Sequence, residues 1–191
     1  VEAFTLRADA RANRARLITA AHEVLRERGV EAEIKEIAER AGVGVGTFYR
    51  NFPTKDDLVI AIAQEMFDAI AAVTDDALAE EDPIEALRML IAGGLQVVVR
   101  YGDLMEMVHG MVPPGCKEQI MGVIDPLARV AAVIQKGIDA GIYRPEIDTE
   151  LVATGVIGVF HPSILAKLLA TRTLDQIVDA RLDLTLRGLR R

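Results

Sequence analysis

Residues 34–58, IKEIAERAGVGVGTFYRNFPTKDDL, crowd two helix stops and two helix starts into one short stretch, which leaves few local folds open. Ile34, Ile37, Ala38 and Ala41 recur at i, i+3, i+4 and i+7, one face of a short helix that needs a core to lie against. Gly42 follows the last of them, where a glycine takes the left-handed conformation that closes a helix, and Gly44 and Gly46 keep the turn free of bulk. The next helix is also short. Val45, Phe48 and Phe52 are available to pack inward, while Thr47, Tyr49, Arg50 and Asn51 fall largely on other faces. Pro53 stops it, and Thr54 opens the following helix as N-cap with Asp57 in the capping-box position.

Such a segment has two readings. It can be an ordinary αα-corner inside a helical protein, but a corner has no need of an exposed Thr, Tyr, Arg and Asn on a helix of two turns. A recognition helix does, because short hydrogen-bonding groups and a cation meet phosphates and base edges in a major groove. The segment resembles the TetR family of transcriptional regulators, and Ile37, Ala38, Ala41, Gly42, Val43, Gly46, Thr47, Tyr49 and Phe52 carry the resemblance. Two positions depart from the family pattern. Glu33 stands where the family has a Thr that caps the helix and contacts a phosphate, and Gly44 replaces a Ser cap. A carboxylate suits a helix N-terminus through the dipole but repels a phosphate, so no phosphate contact is carried over to Glu33.

On the matched positions the resemblance implies phosphate contacts from Thr47, Tyr49 and Lys55, which fix register without reading sequence. It implies base-edge contacts from Val45, Gly46, Arg50 and Asn51, with Arg50 suited to guanine and Asn51 to adenine. The implied partner is double-stranded DNA carrying a palindromic operator, bound by a homodimer and released by a small-molecule effector. Repression is the family's usual sign. Two-fold symmetry sets half-sites about one helical turn, ~34 to 36 Å, apart or a multiple of it.

A net charge of −7 sits awkwardly with phosphate binding. Its distribution resolves part of the conflict: residues 1–55 hold ten Lys and Arg against eight Asp and Glu, whereas residues 56–191 hold twelve against twenty-one. Arg7, Arg11, Arg14 and Arg16 cluster near the start, either as a solvated helix face or as an arm toward the DNA backbone. With 51% hydrophobic residues in 191, the chain has enough apolar material for a sizeable core. No apolar run approaches the ~18 residues of a membrane span and no secretory segment opens the chain, so a soluble cytoplasmic protein without membrane contact is expected. Val1 in place of a Met suggests a processed or trimmed start. The single cysteine, Cys116, has no partner for an internal disulfide and builds no metal site alone.

The remaining pattern predicts an all-α chain of about nine helices. Its first domain, residues 1–55, is a three-helix helix-turn-helix head in which a helix from about Asp9 to Arg28, stopped by Gly29, braces the other two. Residues 56–191 form a second helical domain, for which the resemblance implies effector binding and dimerisation. A long helix carrying Leu58, Ile62, Met66, Ile70, Val73 and Ala77 connects the two. Asp82-Pro83 opens a helix to about Arg100, and Tyr101-Gly102-Asp103 separates it from a short one. A longer helix, bent or interrupted at Pro126, ends near Gly141. Asp148 caps another to about Ala170, kinked at Pro162, and Thr173 with Gln176 forms a capping box for the last.

Within that second domain Met66, Phe67, Met105, His109, Met111, Met121, Phe160 and His161 are the effector-binding candidates. The methionines and phenylalanines suit an adaptable apolar cavity or plain core, and the two histidines are its polar candidates. A hydrophobic or aromatic effector is expected. The last two helices are unusually apolar, and they either pack on their own domain or, as the resemblance implies, form a bundle across a two-fold axis. Leu151, Gly155, Val159, Leu174, Val178, Leu182 and Leu186 are the interface candidates. No GxSxG, P-loop, HExxH or CxxC occurs, and His22, His109 and His161 are scattered, so neither catalysis nor a metal or cofactor is expected. A helical interaction adaptor that has lost sequence-specific DNA binding is the alternative, favoured by Glu33 and the acidic balance.

Overall fold

A computed structural model describes residues 2–111, 125–158 and 161–190, and side chains from residue 10 onward apart from those at 103, 105–109 and 111. Among these residues the chain is all-α, with nine helices and no strand, only an isolated bridge between Tyr143 and Arg190. The contacts divide it into two compact units, Val1–Glu65 with Asp103–Ile120, and Met66–Gly102 with Met121–Arg191.

The first unit is built on α1 (Glu2–Arg28), a 3-10 turn (Gly29–Glu31), α2 (Ile34–Arg40), α3 (Val45–Asn51) and the start of α4 (Lys55–Ala79). Helix α1 begins seven residues before the expected Asp9, since EAFTLRA contains no Gly or Pro to delay it. Gly29 and Gly42 both lie in the left-handed region, with φ of 63° and 66°, and end α1 and α2 as expected. Leu17, Ala21, Val24 and Leu25 of α1, Ile37 and Ala38 of α2, Phe48 of α3, and Phe52, Leu58 and Ile62 beyond it are all buried. Thr54 and Asp57 close the expected capping box: the Thr54 N–H donates to Asp57 Oδ2 at 2.8 Å, and the Asp57 N–H to Thr54 Oγ1 at 3.1 Å.

The second unit holds the rest of α4, most of α5 (Pro83–Met111), α6 (Pro126–Asp139), α7 (Thr149–Gly158), α8 (Pro162–Leu169) and α9 (Leu174–Leu189). Three expected helix boundaries are corrected here. Helix α5 runs unbroken through Tyr101-Gly102-Asp103. Gly102 serves packing instead, because a Cβ there would lie 3.0 Å from the Pro162 ring. Pro126 starts α6 rather than bending it: Asp125 accepts the Ala128 N–H at 3.0 Å and the proline takes the first turn, where its missing N–H costs nothing. Pro162 likewise opens α8 with His161 as N-cap, so the expected single helix from Asp148 to Ala170 is two.

Leu87, Ile91, Leu95, Val133, Ile134, Tyr143, Ala153, Val156, Ile177, Val178 and Leu182 fill the core of this unit. Gly137 is placed where any Cβ would enter the Tyr143 ring. That ring is buried, its hydroxyl donates to the Pro83 carbonyl at 2.8 Å, and burial pushes its pKa up to about 12. Three cations of this unit are spent on backbone carbonyls. Lys136 donates to Leu78 and Glu80 at the end of α4, Arg144 to Gly188, and Arg181 to Gly155. Burial lowers the Arg181 pKa from its ordinary value. Arg129 pairs with Asp75. No single helix among the described residues is long and apolar enough to cross a membrane.

Candidate nucleic-acid interface

Helix α3 is seven residues long, too short to be stable alone, and its position is set by what it buries. Phe48 is wholly buried and Phe52 nearly so, their rings 5.9 Å apart, and Phe48 meets the Tyr49 ring edge-on at 5.6 Å. The guanidinium of Arg14 lies over Phe52 at 4.5 Å, a cation–π contact that ties α1 to the end of α3. Arg14 therefore belongs to the fold of the head rather than to a free arm. Arg16 donates to Asn13 on the same helix at 2.6 Å. Arg7 lies on α1, and its side chain is outside the described residues.

Helix α2 is fixed against α1 from outside as well as inside. Arg40 donates to Glu23 at 3.1 Å and to both carboxylate oxygens of Glu27 at 3.0 and 2.8 Å, a two-point grip that holds the Glu27 carboxyl below its usual pKa. Glu33 is the exposed N-cap of α2, and its N–H donates to Glu36 at 3.2 Å. Glu33 thus fills the cap position that the sequence assigned it. Gly44 is the N-cap of α3 with extended backbone (φ −74°, ψ 151°); its carbonyl accepts from Thr47 at 2.8 Å, and no side chain caps the helix.

Part of the set stands on the outward face of α3. Tyr49 and Val45 are exposed, as are Arg50 and Gly46, and a Cβ on Gly46 would meet nothing, so backbone at that point is open to a close approach. Arg50 donates through Nε to the Gly46 carbonyl at 3.2 Å and through Nη2 to Thr47 Oγ1 at 3.0 Å. Asn51 is half-buried and donates to the Thr47 carbonyl at 2.8 Å. Lys55 is not a free cation: its Nζ donates to the Val30 carbonyl at 2.7 Å, linking the start of α4 to the turn before α2. That contact joins residues twenty-five positions apart, which is why sequence spacing gave no sign of it.

The other candidate sets come together less well. Met66 and Phe67 are half-buried on α4, and His161 is exposed at the α8 N-cap with its Nδ1 3.0 Å from Ser163 Oγ. Met105, His109 and Met111 lie on α5 with side chains outside the described residues, and Met121 and Phe160 lie outside them altogether. Of the interface candidates, Val178, Leu182 and Leu186 face the core of their own unit, because α9 turns that stripe inward. Leu174 is half-buried against the same core, and Val159 lies outside the described residues. Leu151 and Gly155 are exposed, and Ile164, Leu169 and Leu184 are large exposed apolar side chains as well.

Residues 17–62, which span the whole of α2 and α3 and their braces, match the family model described as bacterial regulatory proteins, tetR family. The helical head of this chain is therefore similar to the DNA-binding head of the TetR family. Over 180 residues the chain is 28% identical to the HTH-type transcriptional repressor KstR of Mycolicibacterium smegmatis, covering 93% of this chain and 86% of that one. The crystal structure of the TetR transcription regulatory protein from Mycobacterium vanbaalenii is 29% identical, with TM-score 0.61 over 97% of this chain and 99% of the other. The transcriptional regulator FadR from Bacillus subtilis, in complex with stearoyl-CoA, shares the fold at TM-score 0.73 and 21% identity, over 91% of this chain and 98% of its own. These solved structures share the all-helical fold of the described residues.

Proposed function

We propose that this protein is a ligand-responsive DNA-binding repressor of the TetR type that binds a palindromic operator as a homodimer and is released by a small hydrophobic effector. The observation that carries the reading is the outward face of α3: Tyr49 and Arg50 stand in solvent on a helix whose other side is locked by Phe48 and Phe52. Thr47 and Tyr49 meet phosphates, and Lys55 keeps two N–H groups for a third. Val45, Gly46, Arg50 and Asn51 face base edges, with Asn51 first leaving the Thr47 carbonyl.

KstR is a repressor, which favours that sign of control. FadR holds stearoyl-CoA, which favours a long apolar or acyl-CoA effector. On this reading the second unit senses that molecule, Leu151 and Gly155 meet the second copy, and no catalytic step takes place. The protein works in the cytoplasm, beside its DNA.

Selection of bound fragments from genomic DNA by the purified protein tests the reading. Enriched fragments that stearoyl-CoA or a comparable acyl-CoA releases are the expected result. Enrichment that no apolar effector reverses removes the sensor half. No enrichment even at low salt removes the DNA half and favours the adaptor role that Glu33 and the acidic charge balance support.

A further inference from the structure

The Arg50 guanidinium has five N–H groups, and the structure uses two of them inside its own helix. Nε donates to the Gly46 carbonyl and Nη2 to the Thr47 hydroxyl oxygen. Both Nη1 protons and the second Nη2 proton remain free, which is the outer fork that a bidentate contact to guanine O6 and N7 requires. The inner edge of the side chain is therefore fastened and the outer edge is presented.

We infer, building on the DNA-reading role proposed for α3, that Thr47 is a positioning residue for Arg50 and so sets base specificity, beyond touching a phosphate. A long arginine side chain loses rotamer freedom when it docks, and fastening it beforehand reduces that loss on binding. Thr47 suits the task in three ways. Its branched Cβ restricts χ1, so the hydroxyl has few positions to occupy. Its oxygen accepts from Arg50 while its own proton stays available for a phosphate oxygen, so one group joins register to readout. Its backbone carbonyl holds Asn51 at 2.8 Å, which places both candidate base readers on one residue.

The test is a comparison of Thr47→Val, Thr47→Ser, Arg50→Ala and the double variant Thr47→Val/Arg50→Ala on the selected operator and on operators mutated one base pair at a time. Thr47→Val keeps the shape and removes the hydroxyl; Thr47→Ser keeps the hydroxyl. The expected result is a loss of discrimination of about tenfold in Thr47→Val, confined to the base pair at which Arg50→Ala also loses it. Thr47→Ser retains the discrimination, and the double variant is no worse at that base pair than Arg50→Ala alone. Uniform weakening on every sequence, with discrimination intact in Thr47→Val, overturns the positioning role and leaves Thr47 a phosphate contact. Additive losses in the double variant overturn it too. Absence of any preferred operator for the wild-type protein is a different failure, that of the DNA-reading role itself.

Discussion

Arg50 and Asn51 of α3 and three cations of the second unit differ in where they find their partners. On α3, Arg50 and Asn51 bond to Gly46 and Thr47, three or four positions back on the same helix. In the second unit, Lys136 reaches Leu78 across fifty-eight positions, Arg144 reaches Gly188 across forty-four, and Arg181 reaches Gly155 across twenty-six. A cation that satisfies a distant carbonyl is part of how elements are joined, and removing it exposes a polar group that had been matched. A cation fastened only to its own helix joins nothing to anything else. Arg50 is in that sense spare for a partner, whereas Lys136 and Arg181 are committed to the fold.

The largest expected effect falls on the committed side. Gly137→Ala drives a methyl group into the Tyr143 ring and pulls its hydroxyl from the Pro83 carbonyl, at a cost of about 3 kcal/mol in chemical denaturation. Tyr143→Phe keeps the ring and loses the bond alone, about 1 kcal/mol. The same ring gives a pH signature. Its folded pKa is raised to about 12 by burial, above the ordinary value of 10.0, so its contribution is complete below pH 10 and is lost as pH rises toward 12. Urea titrations at pH 9 and pH 11.5 should show a steeper loss in the wild type than in Tyr143→Phe.

On the spare side, Arg50→Ala should leave unfolding within about 0.5 kcal/mol of the wild type while removing ~1 to 3 kcal/mol of discrimination at one base pair. A variant that loses stability instead would move Arg50 to the committed group. The turn between α2 and α3 sharpens the contrast on a finer scale. Gly42, at φ 66°, should cost about 1 kcal/mol of thermal stability on replacement by Ala. Gly44 has extended backbone and open space around its Cβ position, so Gly44→Ser should add a few tenths of a kcal/mol by capping α3.

This difference in reach also explains what the sequence disclosed. In the head, the Gly42 turn, the Thr54–Asp57 box and the Phe48–Phe52 face are all set by residues within a few positions of one another, and periodicity and capping rules read such spacings directly. The Lys55 contact to Val30 escaped because it closes over twenty-five residues. In the second unit the helices were legible and their punctuation was misread. Gly102 looked like a break because its partner, Pro162, is sixty residues away and only packing reveals that the glycine makes room for it. Pro126 and Pro162 looked like kinks inside helices, whereas the capping Asp125 and the N-cap His161 make each a first-turn proline. The stripe Val178, Leu182, Leu186 showed that α9 has an apolar face; which surface covers it is a tertiary fact, and that surface is the unit's own core.

The most direct test of the central claim, that α3 reads DNA through side chains spare to the fold, is a footprint of the best genomic fragment with wild type and Arg50→Ala at two salt concentrations. The account expects a protected palindrome with half-site centres ~34 to 36 Å apart or a multiple of it, salt-sensitive in both proteins, and bound less selectively by Arg50→Ala than by the wild type. Equal selectivity in the two proteins, or no protected site at the lower salt, would contradict it.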